Sequence, residues 1–219
     1  MKLNTKTAII IGGSKGIGKS IADNLKKLNI RTFACSRKNI DTSDIKSIQK
    51  FCKKHKKTDI LVLNSGGPPP IKLNKIKIKE WQKYLNQLFL GFIILLQNIK
   101  INNSGYVFYI SSSIIKEPGS SLVISSTLRT AMSSFLKSYS LENLKNKTSV
   151  INIAPGPFKT RRVKELVKNL KTFEKKLPTK KIGNPDEIGK FVNFIVKNNI
   201  KYLTGSTIYF DGNINRSFI

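Results

Sequence analysis

Short apolar runs rich in β-branched residues alternate with longer amphipathic stretches along the chain. The apolar runs predict buried parallel strands, and they lie at residues 7–11, 32–35, 60–63, 106–110, 150–153 and 207–210. Apolar residues spaced three and four apart predict helices between the strands, at residues 16–28, 42–54, 78–99, 123–145 and 186–197. Alternating strands and helices are typical of a doubly wound parallel sheet. We therefore predict an α/β protein whose single domain spans residues 1–219.

One connection in this pattern is unusually short. Only the segment SRKNID, residues 36–41, separates the second predicted strand from the next predicted helix. This length leaves no room for a further helix and a full strand. We therefore expect one helix–strand unit at an edge of the sheet to be reduced or missing.

Composition supports a folded, soluble chain. Its 219 residues fit one large α/β domain, and 39% hydrophobic residues with a mean hydropathy of −0.21 are typical of globular proteins. No apolar window reaches the roughly 20 residues that a membrane span needs, and the N-terminal residues lack the features of a signal peptide. Cys35 and Cys52 have no metal-ligand spacing. We expect two buried thiols, no metal site and a cytoplasmic location.

Basic residues far outnumber acidic ones. The chain has 40 Lys+Arg and 12 Asp+Glu, a net charge of +28. Such a charge attracts nucleic acids, acidic proteins and phosphorylated metabolites, although AT-rich codons would also produce a chain this rich in Lys, Ile and Asn. The charge is dispersed, and neither zinc-finger spacing nor an aromatic RNA-binding signature is present. We therefore expect no specific nucleic-acid partner and no membrane partner.

A glycine-rich turn, GGSKGIG at residues 12–18, joins the first predicted strand to the first predicted helix. Gly12 permits a tight turn, Gly16 lets the backbone approach a pyrophosphate, and Gly18 lets the helix pack on the strand. The free amide groups and the positive dipole end of a helix N-terminus suit a phosphate group. This segment predicts a nucleotide-binding site.

The spacing of these glycines resembles that of the short-chain dehydrogenase/reductase family. Further segments resemble motifs of that family in the same order: LNSGG at residues 63–67, ISS at 110–112, IAPGPFKT at 153–160, NPDEIGKFVNFI from Asn184 and YLTGSTIYFDG from Tyr202. The resemblance covers nearly the whole chain. It implies a Rossmann-type fold, a nicotinamide cofactor and interconversion of a carbonyl and an alcohol. The segments LNSGGPPP and KEPG, with an SxxxR pattern, also resemble a 3-oxoacyl-carrier-protein reductase-like subgroup that lacks the catalytic tyrosine.

The residues after the second strand favour one cofactor over the other. In the family, an acidic residue there accepts a hydrogen bond from the ribose 2′-hydroxyl of NAD. Arg37 instead is suited to a 2′-phosphate, and Lys15 lies where NADP-preferring relatives carry a basic residue. We expect NADP(H) rather than NAD(H). The cofactor-binding residues that the resemblance implies are Gly12, Ser14, Lys15, Gly16, Ile17, Gly18, Arg37, Asp41, Asn64, Ser65, Gly66, Arg129, Pro155 and Gly156.

The catalytic positions of the family are altered. The resemblance places Ser112 at the active-site serine, Ser125 at the tyrosine that transfers the proton and Arg129 at the lysine that supports it. The family's asparagine position falls on Leu88. An alkanol ionises far above a phenol, and arginine keeps its proton in proteins, so neither residue simply replaces its counterpart.

Several alternatives remain open at the catalytic end. A proton could come from water held by Ser112 and Ser125, or from Tyr109, Lys116 or Tyr84. Alternatively, the protein is an NADP-binding pseudoenzyme that acts as sensor or scaffold, with Ser125 filling a helix start and Arg129 forming a surface pair.

The partners follow from the resemblance and from a run of basic residues. The segment after Gly156, a mobile lid in the family, suggests an anionic substrate or acyl thioester, or else a solvated helix. Its basic residues are Lys159, Arg161, Arg162, Lys164, Lys168, Lys171, Lys175, Lys176, Lys180 and Lys181. We also expect a homodimer or homotetramer formed through the helices at residues 78–99 and 123–145.

Overall fold

Six parallel strands form one sheet in the computed structural model, which describes residues 6–217. The predicted domain ends, residues 1–5 and 218–219, lie outside the described residues. The strands are β1 (Thr7–Ile10), β2 (Arg31–Ala34), β3 (Lys57–Leu63), β4 (Lys100–Ile110), β5 (Ser149–Pro155) and β6 (Ser206–Phe210). Their order across the sheet is β2-β1-β3-β4-β5-β6. Starting from β1, the chain places β2 on one side and β3 to β6 on the other, so the strand order reverses between β1 and β3. Doubly wound sheets bind ligands at such a point.

Eight α-helices connect the described strands. They are α1 (Gly16–Lys26), α2 (Ile45–Lys54), α3 (Ile78–Leu85), α4 (Gly91–Asn98), α5 (Val123–Glu142), α6 (Arg161–Leu166), α7 (Leu170–Lys176) and α8 (Pro185–Lys197). The start of α8 is strongly specified, because Asn184 and Glu187 form a capping box around Pro185. The predicted single-domain, doubly wound α/β fold is confirmed.

The short connection after β2 has the predicted effect. After β2 the chain enters α2 and returns as β3 on the far side of β1, so β2 is the edge strand of the sheet. Phe33 on this strand is partly exposed and contacts His55, the two ring centroids lying 4.7 Å apart.

Two hydrophobic layers hold the sheet between helices. One layer contains Ile9, Leu61 and Phe92, on the face covered by α2, α4 and α5. The opposite layer contains Ile10 and Phe108, on the face covered by α1 and α8. Successive strand residues thus enter different layers, which explains why the strands are apolar throughout rather than alternating with polar residues. Cys35 and Cys52 are buried free thiols, as expected.

The structure corrects two helix predictions. The stretch predicted as one helix at residues 78–99 contains a π-helical turn at Asn86–Leu90, in which Gly91 N–H donates to the Asn86 carbonyl. The predicted helix 123–145 ends at Glu142, and a short 3₁₀ turn, Leu144–Asn146, follows it. No helix among residues 6–217 is long and apolar enough to cross a membrane.

Candidate functional site

A cavity of about 670 Å³ opens at the carboxyl ends of β1, β3, β4 and β5. It lies at the point where the strand order reverses, so the position agrees with the ligand cleft of doubly wound sheets. Predicted site residues from five separate segments meet there. Those that line the cavity are Gly12, Lys15, Gly16, Ile17, Asn64, Ser65, Gly66, Ser112, Ser125, Arg129, Pro155 and Gly156.

The glycine turn is packed too tightly for side chains. Gly12 has φ +63°, and an added Cβ would lie 2.7 Å from the Asn64 carbonyl oxygen. At Gly18 an added Cβ would lie 2.3 Å from the Gly12 carbonyl oxygen. Asn64 Nδ2 donates to that same oxygen at 3.0 Å, which fixes the β3 loop against the turn. The backbone of the glycine turn therefore borders the cavity without side chains to cover it.

The first amide groups of α1 are left without a side-chain cap. Lys15 precedes the helix and makes no capping hydrogen bond, and the first turn contains no acidic residue. Gly16 has φ +55°, and the nearest atom to its missing Cβ is a methyl carbon of Thr160, at 3.1 Å. A bare backbone, uncapped amide donors and a nearby lysine together fit a phosphate group.

Four predicted cofactor residues do not line the cavity. Gly18 lies beneath the glycine turn, and Ser14 is exposed on it. Arg37 lies beyond the end of β2, with 71% of its side chain exposed and its Nε 3.7 Å from Asp41 Oδ2. Asp41 also accepts hydrogen bonds from the backbone and hydroxyl of Ser43. Burial acts to raise the pKa of Asp41, but the Ser43 hydrogen bonds and the Arg37 charge outweigh it and leave that pKa lowered.

Arg129 is buried, and its guanidinium group binds backbone carbonyls. Only 5% of the residue is exposed. Its Nη1 donates to the carbonyl oxygens of Ile110 at 3.0 Å and Ser111 at 3.1 Å, and its Nη2 donates to that of Ser65 at 3.0 Å. Its Nε donates to Ser125 Oγ at 3.2 Å. The reading of Arg129 as half of a surface pair is therefore wrong.

These contacts join three elements at the cavity. Arg129 and Ser125 lie one helical turn apart on α5, while the carbonyl acceptors end β4 and follow β3. Ser125 is buried at the cavity wall, and Ser112 is half-buried there after β4. Among the described contacts, the Ser112 side chain makes no hydrogen bond. The arrangement thus presents two hydroxyl groups to the cavity beside a fixed cation.

Sequence counting missed the contribution of Gln87. Leu88, where the family's asparagine position falls, is fully buried against Ile124 and Leu128. Its neighbour Gln87 donates through Nε2 to Ser65 Oγ at 3.0 Å and to the Gly66 carbonyl at 2.7 Å. Gln87 reaches this loop from the π-helical turn, where a regular helix would place its residues at different angles.

The three alternative proton sources lie outside the cavity lining. Tyr109, Tyr84 and Lys116 are absent from its walls as the described residues form them. Tyr109 is completely buried, and burial raises its pKa against the opposing effect of the neighbouring Arg129. Lys116 lies over the ring of Tyr209, 5.1 Å from its centroid.

The basic segment after Gly156 forms α6 and α7, and two of its arginines, one half-buried and one exposed, line the cavity. The Arg162 guanidinium donates to the Pro68 carbonyl through Nη2 and lines the cavity. Neighbouring Arg161 is mostly exposed and pairs with Glu165 at 2.8 Å. Composition alone did not distinguish these two adjacent arginines, because their difference arises from the direction in which α6 packs.

Comparisons with known proteins agree with this fold. A family model described as "Enoyl-(Acyl carrier protein) reductase" matches residues 42–215. The chain is 29% identical to a 3-oxoacyl-(acyl-carrier-protein) reductase of Buchnera aphidicola subsp. Schizaphis graminum, covering 97% of this chain and 98% of that protein. A short-chain dehydrogenase/reductase from Serratia marcescens superposes with a TM-score of 0.84 at 19% identity, covering 97% of this chain and 98% of that one. A short-chain dehydrogenase from Burkholderia cenocepacia, solved in complex with NADP, superposes with a TM-score of 0.82 at 17% identity, covering 95% and 96%.

Proposed function

Because the chain belongs to the short-chain dehydrogenase/reductase family of oxidoreductases, we propose that it binds NADP(H) and interconverts a carbonyl and an alcohol. The observation that carries the proposal is the cavity itself, in which the bare glycine turn and the two serine hydroxyls line one space. When bound, a nicotinamide cofactor supplies or accepts the hydride.

The glycine turn and the β3 loop are the proposed cofactor cradle. Gly12, Gly16 and the first amides of α1 would hold the pyrophosphate, with Lys15 beside it. Asn64 and Gln87 position the loop of Ser65 and Gly66 against this turn. Arg37, which lies beyond the end of β2, would bind a 2′-phosphate. The nearby carboxylate of Asp41 partly neutralises the Arg37 charge. The NADP-bound structure from Burkholderia cenocepacia, which shares this fold, supports the choice of cofactor.

We propose that Ser125 and Arg129 stand where the family has its tyrosine and lysine. Ser112 and Ser125 would orient a substrate oxygen or a water molecule through their hydroxyl groups. Arg129 would hold Ser125 and the ends of β3 and β4 in place, since four of its N–H groups are already bonded within the protein. Proton transfer then passes through a hydroxyl or water rather than a phenol, which slows the chemical step without abolishing it.

The relatives' names suggest one substrate class, an acyl thioester with a 3-oxo group. No finding supports the alternative of a pseudoenzyme that acts as sensor or scaffold.

Cofactor titrations test the proposal. Removing the Arg37 charge in Arg37→Ala should weaken NADPH binding about 10-fold and leave NADH binding nearly unchanged, because only NADPH carries the 2′-phosphate. Fluorescence titration gives both dissociation constants, and oxidation of NADPH in the presence of a ketone panel gives the activity.

Arg31→Ala is the matched control, because it removes an exposed arginine from the other end of β2. Equal dissociation constants for NADPH and NADH in the unaltered protein would contradict the cofactor assignment. NADPH that binds but is never oxidised would instead support the pseudoenzyme.

A further inference from the structure

Three polar side chains converge on the bare Cα of Gly67. The position that a Cβ would occupy there lies 3.4 Å from Ser125 Oγ, 3.5 Å from Arg162 Nη2 and 3.8 Å from Arg129 Nη2. All four residues line the same cavity as the glycine turn. The space left by the missing side chain is therefore surrounded by a hydroxyl and two guanidinium groups.

Each of these groups keeps a hydrogen that the described residues do not use. Arg129 Nη2 carries two N–H groups and donates one, to Ser65. Arg162 Nη2 likewise donates one, to the Pro68 carbonyl. Ser125 Oγ accepts from Arg129, and its own hydrogen has no acceptor among the described contacts. A carboxylate in the cavity beside Gly67 would meet the two guanidinium groups, while the Ser125 hydroxyl stays available to the reacting oxygen.

The two cations have one weak acidic partner between them among residues 6–217. Arg129 is buried and forms no ion pair with any residue of 6–217. The ion pair of Arg162 within that range is to Glu165, whose Oε2 lies 3.9 Å from Nη1 and whose Oε1 accepts a shorter bond from Arg161. Burial lowers the pKa of Arg162, and the nearby Arg129 charge lowers it further, against the opposing effect of Glu165. Two like charges, one buried and one half-buried, are stabilised by an anion between them.

Apolar side chains form much of the cavity wall beside these cations, where Arg161 and Glu165 are the charged neighbours. Leu122 at the start of α5, Val163 and Leu166 on α6, and Phe173 on α7 line it. A ligand that fits has one anionic end and a hydrocarbon body.

We propose that Arg129 and Arg162, in the cavity beside Gly67, bind the carboxylate of the substrate, so that the protein acts on an oxo acid or hydroxy acid with a free carboxylate and an apolar chain. This inference rests on the proposed function. It sets the protein apart from a reductase of neutral ketones or of thioesters, whose acyl end carries no charge for the two arginines to bind.

Matched substrate pairs provide the first test. The purified full-length chain is assayed with NADPH and 2-oxohexanoate, 4-oxopentanoate or 5-oxohexanoate, each against its methyl ester. The ester removes the charge and keeps the reacting carbonyl. We expect at least one acid to be reduced with a kcat/KM about 10- to 100-fold above that of its ester, the effect of a charged hydrogen-bonded contact. Esters that react as well as the acids throughout would overturn the proposal and leave the proposed function standing.

Two variants locate the effect. Gly67→Ala places a methyl group in the space at ordinary contact distances, so it fills the site without strain. Arg162→Gln removes one of the cations. Both should raise KM for the acid about 10-fold or more and leave KM for the ester unchanged. Gly119→Ala, at an exposed glycine with open space around it, and Lys164→Gln, at an exposed lysine of α6, are the controls. An equal rise in KM for acid and ester would show that the substitution only disturbs the cavity.

A binding measurement separates failure of this inference from failure of the proposed function. If NADPH is never oxidised, dissociation constants for the three oxo acids and their esters are measured by ligand-observed NMR with the cofactor present. Binding of an acid that Gly67→Ala abolishes and Gly119→Ala preserves would sustain the anion site alone. Binding that does not distinguish acid from ester overturns it.

Discussion

Arg129 holds the catalytic end of the sheet together. Its side chain bonds three carbonyl oxygens at the ends of β3 and β4 and one hydroxyl, and only 5% of the residue is exposed. Carbonyl groups left buried without donors cost about 1–3 kcal/mol each. Arg129 therefore stabilises the fold in addition to lining the cavity.

Arg129→Met should therefore lower the free energy of unfolding by about 2–4 kcal/mol, since methionine fills the volume but donates nothing. Urea denaturation followed by circular dichroism measures the change. Arg161→Met is the control, because that arginine forms an exposed pair and its loss should cost no more than about 1 kcal/mol. Similar losses of unfolding free energy in both variants would show that Arg129 does not stabilise the fold in this way.

Among the elements, the π-helical turn at Asn86–Leu90 has the most direct effect on the site. It presents Gln87 to the loop of Ser65 and Gly66, and Gln87 Oε1 is buried without a partner among residues 6–217. Buried polar atoms of this kind are usually met by ordered water.

Gln87→Ala should loosen that loop and weaken NADPH binding about 3- to 10-fold, because two hydrogen bonds to the cradle are lost. Fluorescence titration of NADPH measures the effect, and kcat should change less than the dissociation constant. Gln97→Ala, at an exposed glutamine of α4, is the matched control. An unchanged dissociation constant in Gln87→Ala would show that the loop needs no support from the π turn.

The elements also show how far the pattern of the chain predicts structure. Most strands and helices lie close to their predicted bounds, because burial on both faces and amphipathic spacing leave clear signals, although β3 begins three residues and β4 six residues before the predicted start. The short connection at residues 36–41 correctly indicated a shortened edge. The π turn leaves no such signal, because its apolar residues continue the helical spacing. Counting along a regular helix therefore indicates Leu88 rather than Gln87. The inward turn of Arg162 likewise depends on tertiary packing of a short helix.

On the scale of the whole molecule, the remaining expectation is self-association. We predict a homodimer or homotetramer through the helices of residues 78–99 and 123–145. Ile78 is 72% exposed and Leu141 62% exposed, and Leu144 beside the end of α5 is also exposed. Exposed apolar side chains on these helices favour burial against a second copy.

The double variant Leu141→Lys, Leu144→Lys should weaken self-association about 10-fold or more, since each buried leucine contributes about 1.5–3 kcal/mol. Light scattering over a concentration series measures the masses. Leu73→Lys, at an exposed leucine outside both helices, is the control. A monomer at every concentration, before any substitution, would refute the assembly.

The bonding of Arg129 also limits how the site can be redesigned. Exchanging Ser125 for tyrosine and Arg129 for lysine would introduce the side chains that the resemblance to the family predicts there, but not their surroundings. Lysine has three N–H donors on one nitrogen, whereas Arg129 serves four acceptors with the spread of a planar group. The carbonyls of Ile110, Ser111 and Ser65 would compete for the ammonium that the tyrosine needs. Recovering the family's chemistry would first require new hydrogen-bond donors for those carbonyls. The loops after β3 and β4 must therefore be changed before α5.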